Sequence, residues 1–344
     1  MRLNQREDLD ALRGIAILAV VLFHLNTDNY FRNGHFGVDI FFVLSGFLIT
    51  SILMDGRGKE GSWSRFYERR ALRILPPYLV FLLLATFFFH IHWGRNALWY
   101  GLFAMNFAEA FNHGVPGLGI LWSLAVEEQF YLFWPIVALC FPPRIVLRFA
   151  IGLVILAPIL RGLATPFLSD HGPIYYLMPF RMDLLASGAI LAVLWREPGA
   201  LLQWRRWGLS LMAGGLLLLA VFDRVLHGFH AEANTVIFNV LGYSLICCVA
   251  TGLIAFTLGA ERGWWMRLMT WKPIRGLGLI SYTGYLIHTG ALALIVPFSS
   301  RLANHALAFA FVVAYGSLSW LFLEKPILQL RPSAWLSSRR KQVA

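Results

Sequence analysis

The sequence predicts an all-α protein: a polytopic bundle of about ten transmembrane helices with both termini in the cytoplasm. Of its 344 residues, 58% are hydrophobic and only 14% are charged, and the mean hydropathy is +0.64. A soluble domain does not need that much apolar content. Apolar runs near the length of about 20 residues that crosses a bilayer as a helix recur along the whole chain.

The apolar runs place the spans in order along the chain. We expect them at 10–27, 37–54, 76–93, 118–141, 145–162, 178–195, 207–222, 235–258, 276–297 and 303–323. The interrupted segment 97–110 predicts a short re-entrant or interfacial helix. No loop is large enough to fold alone, so residues 1–330 form one predicted integral membrane domain and residues 331–344 a basic cytoplasmic tail.

The basic residues support this arrangement and its orientation. With both termini inside, 23 of the 29 Lys and Arg residues lie on the cytoplasmic side and 6 on the outer side. Such an asymmetry is what membrane topology requires. The net charge of +11 therefore does not indicate nucleic-acid binding, because no basic soluble domain is available to dock a duplex. We expect a multi-pass protein of the inner (cytoplasmic) membrane, in contact with membrane lipid.

The cysteines predict neither a disulfide framework nor a metal site. Cys140, Cys247 and Cys248 all lie in apolar runs, and none has the spacing of a zinc ligand. No metal is therefore expected. The first apolar segment reads as a retained span rather than a cleavable signal peptide, because it carries charged and polar residues and has no A-x-A-like end.

The first span carries an arginine and a histidine on one face. In LDALRGIAILAVVLFH, Arg13 and His24 are eleven positions apart, so at ~100° per residue they differ by only about 20°. The rise between them is roughly 16 Å, about half the hydrocarbon thickness. An ionisable group at that depth indicates a functional site by default, and a histidine can take and return a proton near neutral pH, so His24 is a candidate general base. The alternative is a buried histidine that bonds to a neighbouring helix.

Two carboxylates inside spans are candidates to act with His24. Asp39 opens the second span in GVDIFFVLSGF, where it can orient the imidazole; the alternative is a solvated interfacial carboxylate. Glu127 lies beside Glu128 in LWSLAVEEQFYLFWP, and adjacent helical residues point about 100° apart. Glu127 is a candidate second acid or base, or an acceptor for a substrate hydroxyl. The alternative is a buried pair with an arginine.

Three arginines lie at the inner mouth of the third span. In RFYERRALRILPPY, Arg70 and Arg73 are three apart, and Arg69 and Arg73 are four apart, so each pair shares a helix face. Guanidinium groups in this arrangement suit phosphate. The alternative is ordinary positive-inside charge in contact with anionic lipid.

Together these segments resemble the acyltransferase 3 family of integral membrane acyltransferases. The resemblance covers roughly residues 9–325 and is carried by six segments in order: LDALRGIAILAVVLFH, GVDIFFVLSGFLI, ERRALRILPPY, LWSLAVEEQFYLFWP, RMDLLASGAILA and LISYTGYLIH. The first contains the family's R-X10-H arrangement at Arg13 and His24. The third contains its R-x-x-R pair at Arg70 and Arg73.

The resemblance implies transfer of an acyl group, usually acetyl, from coenzyme A to a hydroxyl of a carbohydrate or glycolipid. It implies that His24 is catalytic, and we add Asp39 and Glu127. The donor acetyl-CoA would be bound by Arg70 and Arg73, with Arg13 and Arg69 as further candidates. His24 either deprotonates the acceptor or first carries the acyl group. Two alternatives stay open: succinyl or longer-chain transfer, and a transporter or flippase without transferase chemistry.

Overall fold

The computed structural model describes residues 6–25, 32–197, 200–226, 229–261, 263–294 and 301–330. These parts of the chain are helical throughout their regular structure and contain no strand. The tail predicted at 331–344 lies outside the described residues.

Sixteen α-helices are described. They are α1 Glu7–Leu25, α2 Phe36–Gly56, α3 Ser62–Phe89, α4 Asn96–Gly101, α5 Met105–Ala110, α6 Trp122–Cys140, α7 Pro143–Ala164, α8 Gly172–Tyr176, α9 Met182–Leu194, α10 Ala200–Val225, α11 Tyr243–Leu258, α12 Trp264–Met269, α13 Lys272–Leu279, α14 Ser281–Leu294, α15 Arg301–Ser319 and α16 Lys325–Gln329. A 3₁₀ turn, Arg32–His35, precedes α2, and π-helical turns occupy Phe238–Gly242 and Trp320–Glu324.

The helices agree with the predicted fold class. A helix or helical run lies on each of the ten predicted spans, and six helical stretches are long and apolar enough to cross a membrane. These six are Asn33–Gly56, Ser62–Phe89, Pro143–Phe167, Gln203–Val225, Phe238–Leu258 and Ala303–Gln329. The protein is therefore a multi-pass helical membrane protein. The total of ten spans and the cytoplasmic position of the termini stay predictions.

Two boundaries differ from the sequence prediction. Helix α3 begins at Ser62 rather than near 76. Its first turns are polar, so no apolar run in the sequence marked them as part of the span. Pro76 and Pro77 lie inside this helix and remove backbone donors there without ending it. The short helix expected within 97–110 is present as two helices, α4 and α5, joined by a three-residue break.

Contacts divide the chain into two compact units: Met1–Asp55 with Trp93–Gly278, and Gly56–His92 with Leu279–Ala344. In the larger unit, α2 and α9 touch backbone to backbone. A Cβ added to Gly46 would lie 1.9 Å from the Leu185 carbonyl oxygen, and one added to Gly188 would lie 2.0 Å from that of Val43. Small residues are what let membrane helices approach this closely.

In the smaller unit, polar contacts join α14 to α3 and to the π-helical turn that follows α15. The Tyr282 hydroxyl donates to the Ile74 carbonyl at 3.0 Å. Glu324 is 1% exposed, and its Oε1 accepts a hydrogen bond from the Thr283 hydroxyl at 2.7 Å. Because hydrocarbon offers no hydrogen bonds, such buried polar groups must be satisfied within the protein.

Candidate functional site

Arg13 and His24 both lie on α1, as predicted. The Nδ1–H of His24 donates to the Val20 carbonyl oxygen, one turn earlier, at 2.9 Å. A carbonyl oxygen only accepts, so this bond keeps the proton of the neutral ring on Nδ1 and the lone pair on Nε2. Arg13 lies nearer the other end of the helix, where its guanidinium is 3.5 Å from the Asp10 carboxylate.

A second histidine lies close to His24. His35 ends the 3₁₀ turn before α2, and its ring packs against those of Phe23, at 5.4 Å between centroids, and Phe36, at 4.3 Å. Phe23 in turn packs edge-on against His24 at 4.9 Å. His35 also interacts electrostatically with both His24 and Asp39. Sequence spacing did not single out His35, because nothing in its own segment signals this neighbourhood.

Asp39 forms a buried ion pair with Arg181, the residue before α9. Both side chains are nearly inaccessible, at 3% and 2% exposure. Three aromatic rings surround the guanidinium, with centroids 4.7 Å (Tyr243), 5.3 Å (Tyr175) and 5.9 Å (Trp122) from it. A buried carboxylate needs such a partner, so Arg181 allows Asp39 to remain charged. The orienting role predicted for Asp39 on His24 stays a prediction.

A second buried ion pair lies beside the first. Arg161 on α7 is 0% exposed, and its Nη1 donates to the Asp183 carboxylate at 2.8 Å. The same Nη1 donates to the Phe180 carbonyl at 2.6 Å, and Nη2 donates to the Ser244 hydroxyl at 3.1 Å. The Tyr243 ring is 5.6 Å from the Arg161 guanidinium and so contacts both pairs.

Arg161 and Arg181 are two of the six basic residues that the charge count places on the outer side, and their sequence positions were given no other role. A signal was nevertheless present, because each lies within or at the edge of an apolar run. An arginine at that position is expensive unless it faces a partner inside the bundle.

Glu127 on α6 contacts α2. The Ser45 hydroxyl donates to Glu127 Oε1 at 2.5 Å. The predicted catalytic residues His24, Asp39 and Glu127 therefore all belong to the larger unit, and two of their partners, His35 and Ser45, lie on or just before α2. The Ser45 hydroxyl thus satisfies one oxygen of the Glu127 carboxylate.

The three arginines lie within α3, in the smaller unit. Arg70 and Arg73 are half-buried and share a face with the buried residues Phe66 and Ile74, whereas Arg69 is exposed. The predicted pair on one face is therefore Arg70 with Arg73. Arg73 also interacts electrostatically with the buried Glu324 of the same unit. In the described part of the chain, no group of three or more His, Cys, Asp or Glu residues is placed to hold a metal ion.

These features define a multi-pass helical membrane protein with a histidine on its first helix, two buried ion pairs and two half-buried arginines on one face of α3. A family model described as an acyltransferase domain matches residues 6–324. The chain belongs to this family, acyltransferase 3, as its motifs predicted. The membership confirms the predicted enzyme class, an acyltransferase.

The relatives that the chain resembles include several bacterial O-acetyltransferases. It is 28% identical to peptidoglycan O-acetyltransferase OatA of Listeria monocytogenes over 93% of this chain and 55% of OatA. It is 31% identical to YrhL of Bacillus subtilis, provisionally named a peptidoglycan O-acetyltransferase, over 93% of this chain and 54% of YrhL. The chain thus spans little more than half the length of these relatives. No solved structure matches it significantly.

Proposed function

We propose that this chain is a membrane O-acetyltransferase that moves an acetyl group from cytoplasmic acetyl-CoA to a hydroxyl of a cell-envelope carbohydrate. The observation that carries the proposal is the state of His24: its Nδ1–H is bonded to the helix backbone, so its Nε2 lone pair is the basic site. The names of the relatives make a glycan of the peptidoglycan type the first acceptor to test. The inner membrane is the proposed location.

In the direct route, His24 Nε2 takes the proton of the acceptor hydroxyl as its oxygen attacks the thioester carbonyl carbon. The carbon–sulfur bond then breaks, and the imidazolium returns the proton to the leaving thiolate of coenzyme A. The products are an acetyl ester and free coenzyme A. In the alternative route, Nε2 itself attacks the thioester carbonyl carbon, the carbon–sulfur bond breaks and the thiolate of coenzyme A leaves. The acceptor hydroxyl then attacks the acetyl carbon, the carbon–nitrogen bond breaks to regenerate His24, and the hydroxyl proton passes to the thiolate, so the products are the same. The bond from Nδ1 to Val20 supports either route, because both use Nε2.

We assign supporting roles to the carboxylates. The Asp39 carboxylate, paired with Arg181, is assigned the stabilisation of positive charge that develops near His24 during transfer, and His35 interacts electrostatically with both residues. Glu127, held by Ser45, is the candidate to accept a hydrogen bond from the acceptor or to act as a second acid or base.

The donor is assigned to the arginines of α3. Arg70 and Arg73 share a half-buried face, which suits the phosphates of coenzyme A, and guanidinium forks bind phosphate with two parallel hydrogen bonds. Arg13 stays a further candidate, and the exposed face of Arg69 makes it the weakest of the four. No metal takes part in the proposed reaction.

Mass spectrometry of envelope glycans tests the proposal. Cells that express the unaltered chain should carry glycan fragments heavier by one acetyl group than those of cells lacking it, and mild base should remove the addition because it is an ester. Cells that express His24→Gln at equal membrane levels should resemble cells lacking the chain. A mass difference of one succinyl group or of a longer acyl chain would show that this group, and not acetyl, is transferred. No mass difference in any glycan would refute the carbohydrate acceptor.

A further inference from the structure

The last predicted span ends beside a fully buried carboxyl group. Glu324 closes the π-helical turn Trp320–Glu324 and is 1% exposed. Its Oε1 accepts hydrogen bonds from the Thr283 hydroxyl at 2.7 Å and the Ser319 hydroxyl at 3.3 Å. Its Oε2 is buried and has no hydrogen-bond partner among the described residues. Two neutral hydroxyls do not balance the charge of a buried carboxylate, so it needs a cation nearby to remain charged.

That cation is Arg73 of α3, which is half-buried and interacts electrostatically with the Glu324 carboxyl. Helix α3 packs against α14, α16 and the π-helical turn, all in the smaller unit. Two consecutive residues of α14 join the two partners. The Tyr282 hydroxyl donates to the carbonyl of Ile74, the residue after Arg73, and the Thr283 hydroxyl donates to Glu324. The segment that carries Arg73 is thus fixed relative to the carboxyl by hydrogen bonds.

Both helices are irregular at these residues. In an α-helix a carbonyl accepts a hydrogen bond from the N–H four residues later. Four residues after Arg73 is Pro77, which has no N–H to donate, and Pro76 precedes it. Glu324 in turn lies in a π-helical turn, and such turns inside α-helices are frequent at functional sites. Because the helix ladder is weakened after Arg73, contacts with neighbouring helices determine the course of α3 at this point.

We propose that Glu324 is a positioning residue of the donor site, whose negative charge holds the Arg73 guanidinium in the orientation that receives a phosphate of coenzyme A. This inference rests on the proposed function, which assigns the donor phosphates to Arg70 and Arg73. A guanidinium presents its N–H donors in a planar fork, so a carboxylate on one side leaves donors for a phosphate on the other. An arginine that is already held in place loses less entropy when the ligand binds.

The first experiment measures coenzyme A binding in a double-mutant cycle. The purified full chain, Glu324→Gln, Arg73→Gln and the double variant are titrated with coenzyme A in detergent micelles by calorimetry. Glu324→Gln keeps the size of the side chain and an oxygen for the Thr283 hydroxyl but removes the charge. Its Kd should rise about tenfold, equivalent to 1.4 kcal/mol. The double variant should bind no more weakly than Arg73→Gln, because Glu324 acts through Arg73.

Transfer kinetics separate positioning from general damage to the protein. In Glu324→Gln the KM for acetyl-CoA should rise by the same factor while kcat is unchanged. S-acetylpantetheine carries the same thioester without a phosphate, so Glu324→Gln should use it as well as the unaltered chain does. Glu109→Gln is the matched control, since it neutralises a carboxyl that is also removed from solvent but lies in the larger unit, and it should change neither donor.

A stability measurement decides the case in which Glu324→Gln does not fold. Arg73→Gln leaves the Glu324 carboxylate buried without its cation, so the free energy of unfolding should fall further than in Arg69→Gln, which removes an exposed charge from the same helix. Equal losses in these two variants would overturn the inference. So would an unchanged Kd in folded Glu324→Gln, or losses of affinity that add in the double variant. An unaltered chain that binds no coenzyme A would refute the proposed donor, and the inference with it.

Discussion

The buried pair of Asp39 and Arg181 gives the sharpest prediction about stability. Arg181→Met removes the guanidinium and leaves a carboxylate that is 3% exposed with its principal counter-charge gone. Breaking a buried pair from one side costs about 3–5 kcal/mol, because the remaining charge is stranded away from water. The lost contacts with three aromatic rings, each worth about 0.5–2 kcal/mol, place the expected cost at the upper end of that range.

The chain offers a matched control. Arg196 pairs with Asp55, but the two side chains are 26% and 60% exposed. Solvent screens such a pair, so Arg196→Met should cost about 1 kcal/mol or less. The double variant Asp39→Asn with Arg181→Met should recover part of the stability lost in Arg181→Met, because no buried charge remains.

The measurement is reversible unfolding of each variant in mixed micelles of a mild detergent and sodium dodecyl sulfate, followed by far-ultraviolet circular dichroism. The free energy of unfolding should fall by several kcal/mol in Arg181→Met and only slightly in Arg196→Met. Similar losses in the two variants, or a double variant less stable than Arg181→Met, would refute the reasoning that burial decides the strength of the pair.

Three further outcomes follow. Arg70→Lys keeps the charge but loses the bidentate geometry, so the KM for acetyl-CoA should rise about tenfold while membrane insertion is unchanged; Arg69→Lys, on the exposed face, should leave the KM as it was. Burial raises the pKa of Glu109 above its usual 4.5, so on raising the pH the carboxyl ionises in the unfolded chain before it ionises in the folded one. The free energy of unfolding should therefore fall as the pH rises from 4.5 towards the raised pKa. Unfolding measured at a series of pH values should show this slope in the unaltered chain, and Glu109→Gln should abolish it. Sealed inverted vesicles should use added acetyl-CoA, whereas sealed right-side-out vesicles should use it only when it is loaded inside; equal use by both would refute cytoplasmic donor entry.

Much of the fold could be predicted from sequence because span length and hydropathy are local properties. Each apolar run coincides with a helix, including α1 and α9, which is only 13 residues long. The start of α3 could not be predicted in this way, because the segment from Ser62 to Arg73 is polar and its helix is stabilised by the face that it buries.

In the candidate site, too, the features that depend on one helix could be predicted from sequence, and those that join distant residues could not. The spacing of Arg13 and His24, or of Arg70 and Arg73, is a property of one helix and is visible in the sequence. The pairing of Asp39 with Arg181 joins residues 142 positions apart, and only the folded chain shows which arginine meets which carboxylate. For the same reason, the sequence could identify Glu127 as a candidate acid or base but could not predict its hydrogen bond with Ser45.

The central claim is that His24 performs acyl transfer, and one measurement tests it most directly. The purified full chain and its His24→Gln variant are reconstituted at equal levels, and transfer of radiolabelled acetyl from acetyl-CoA to a carbohydrate acceptor is timed. Removing a positioned acid–base group typically lowers the rate by about 10²–10⁴-fold, and we predict a loss at least that large with the helical content unchanged. Transfer by folded His24→Gln at a rate close to that of the unaltered chain would contradict the account.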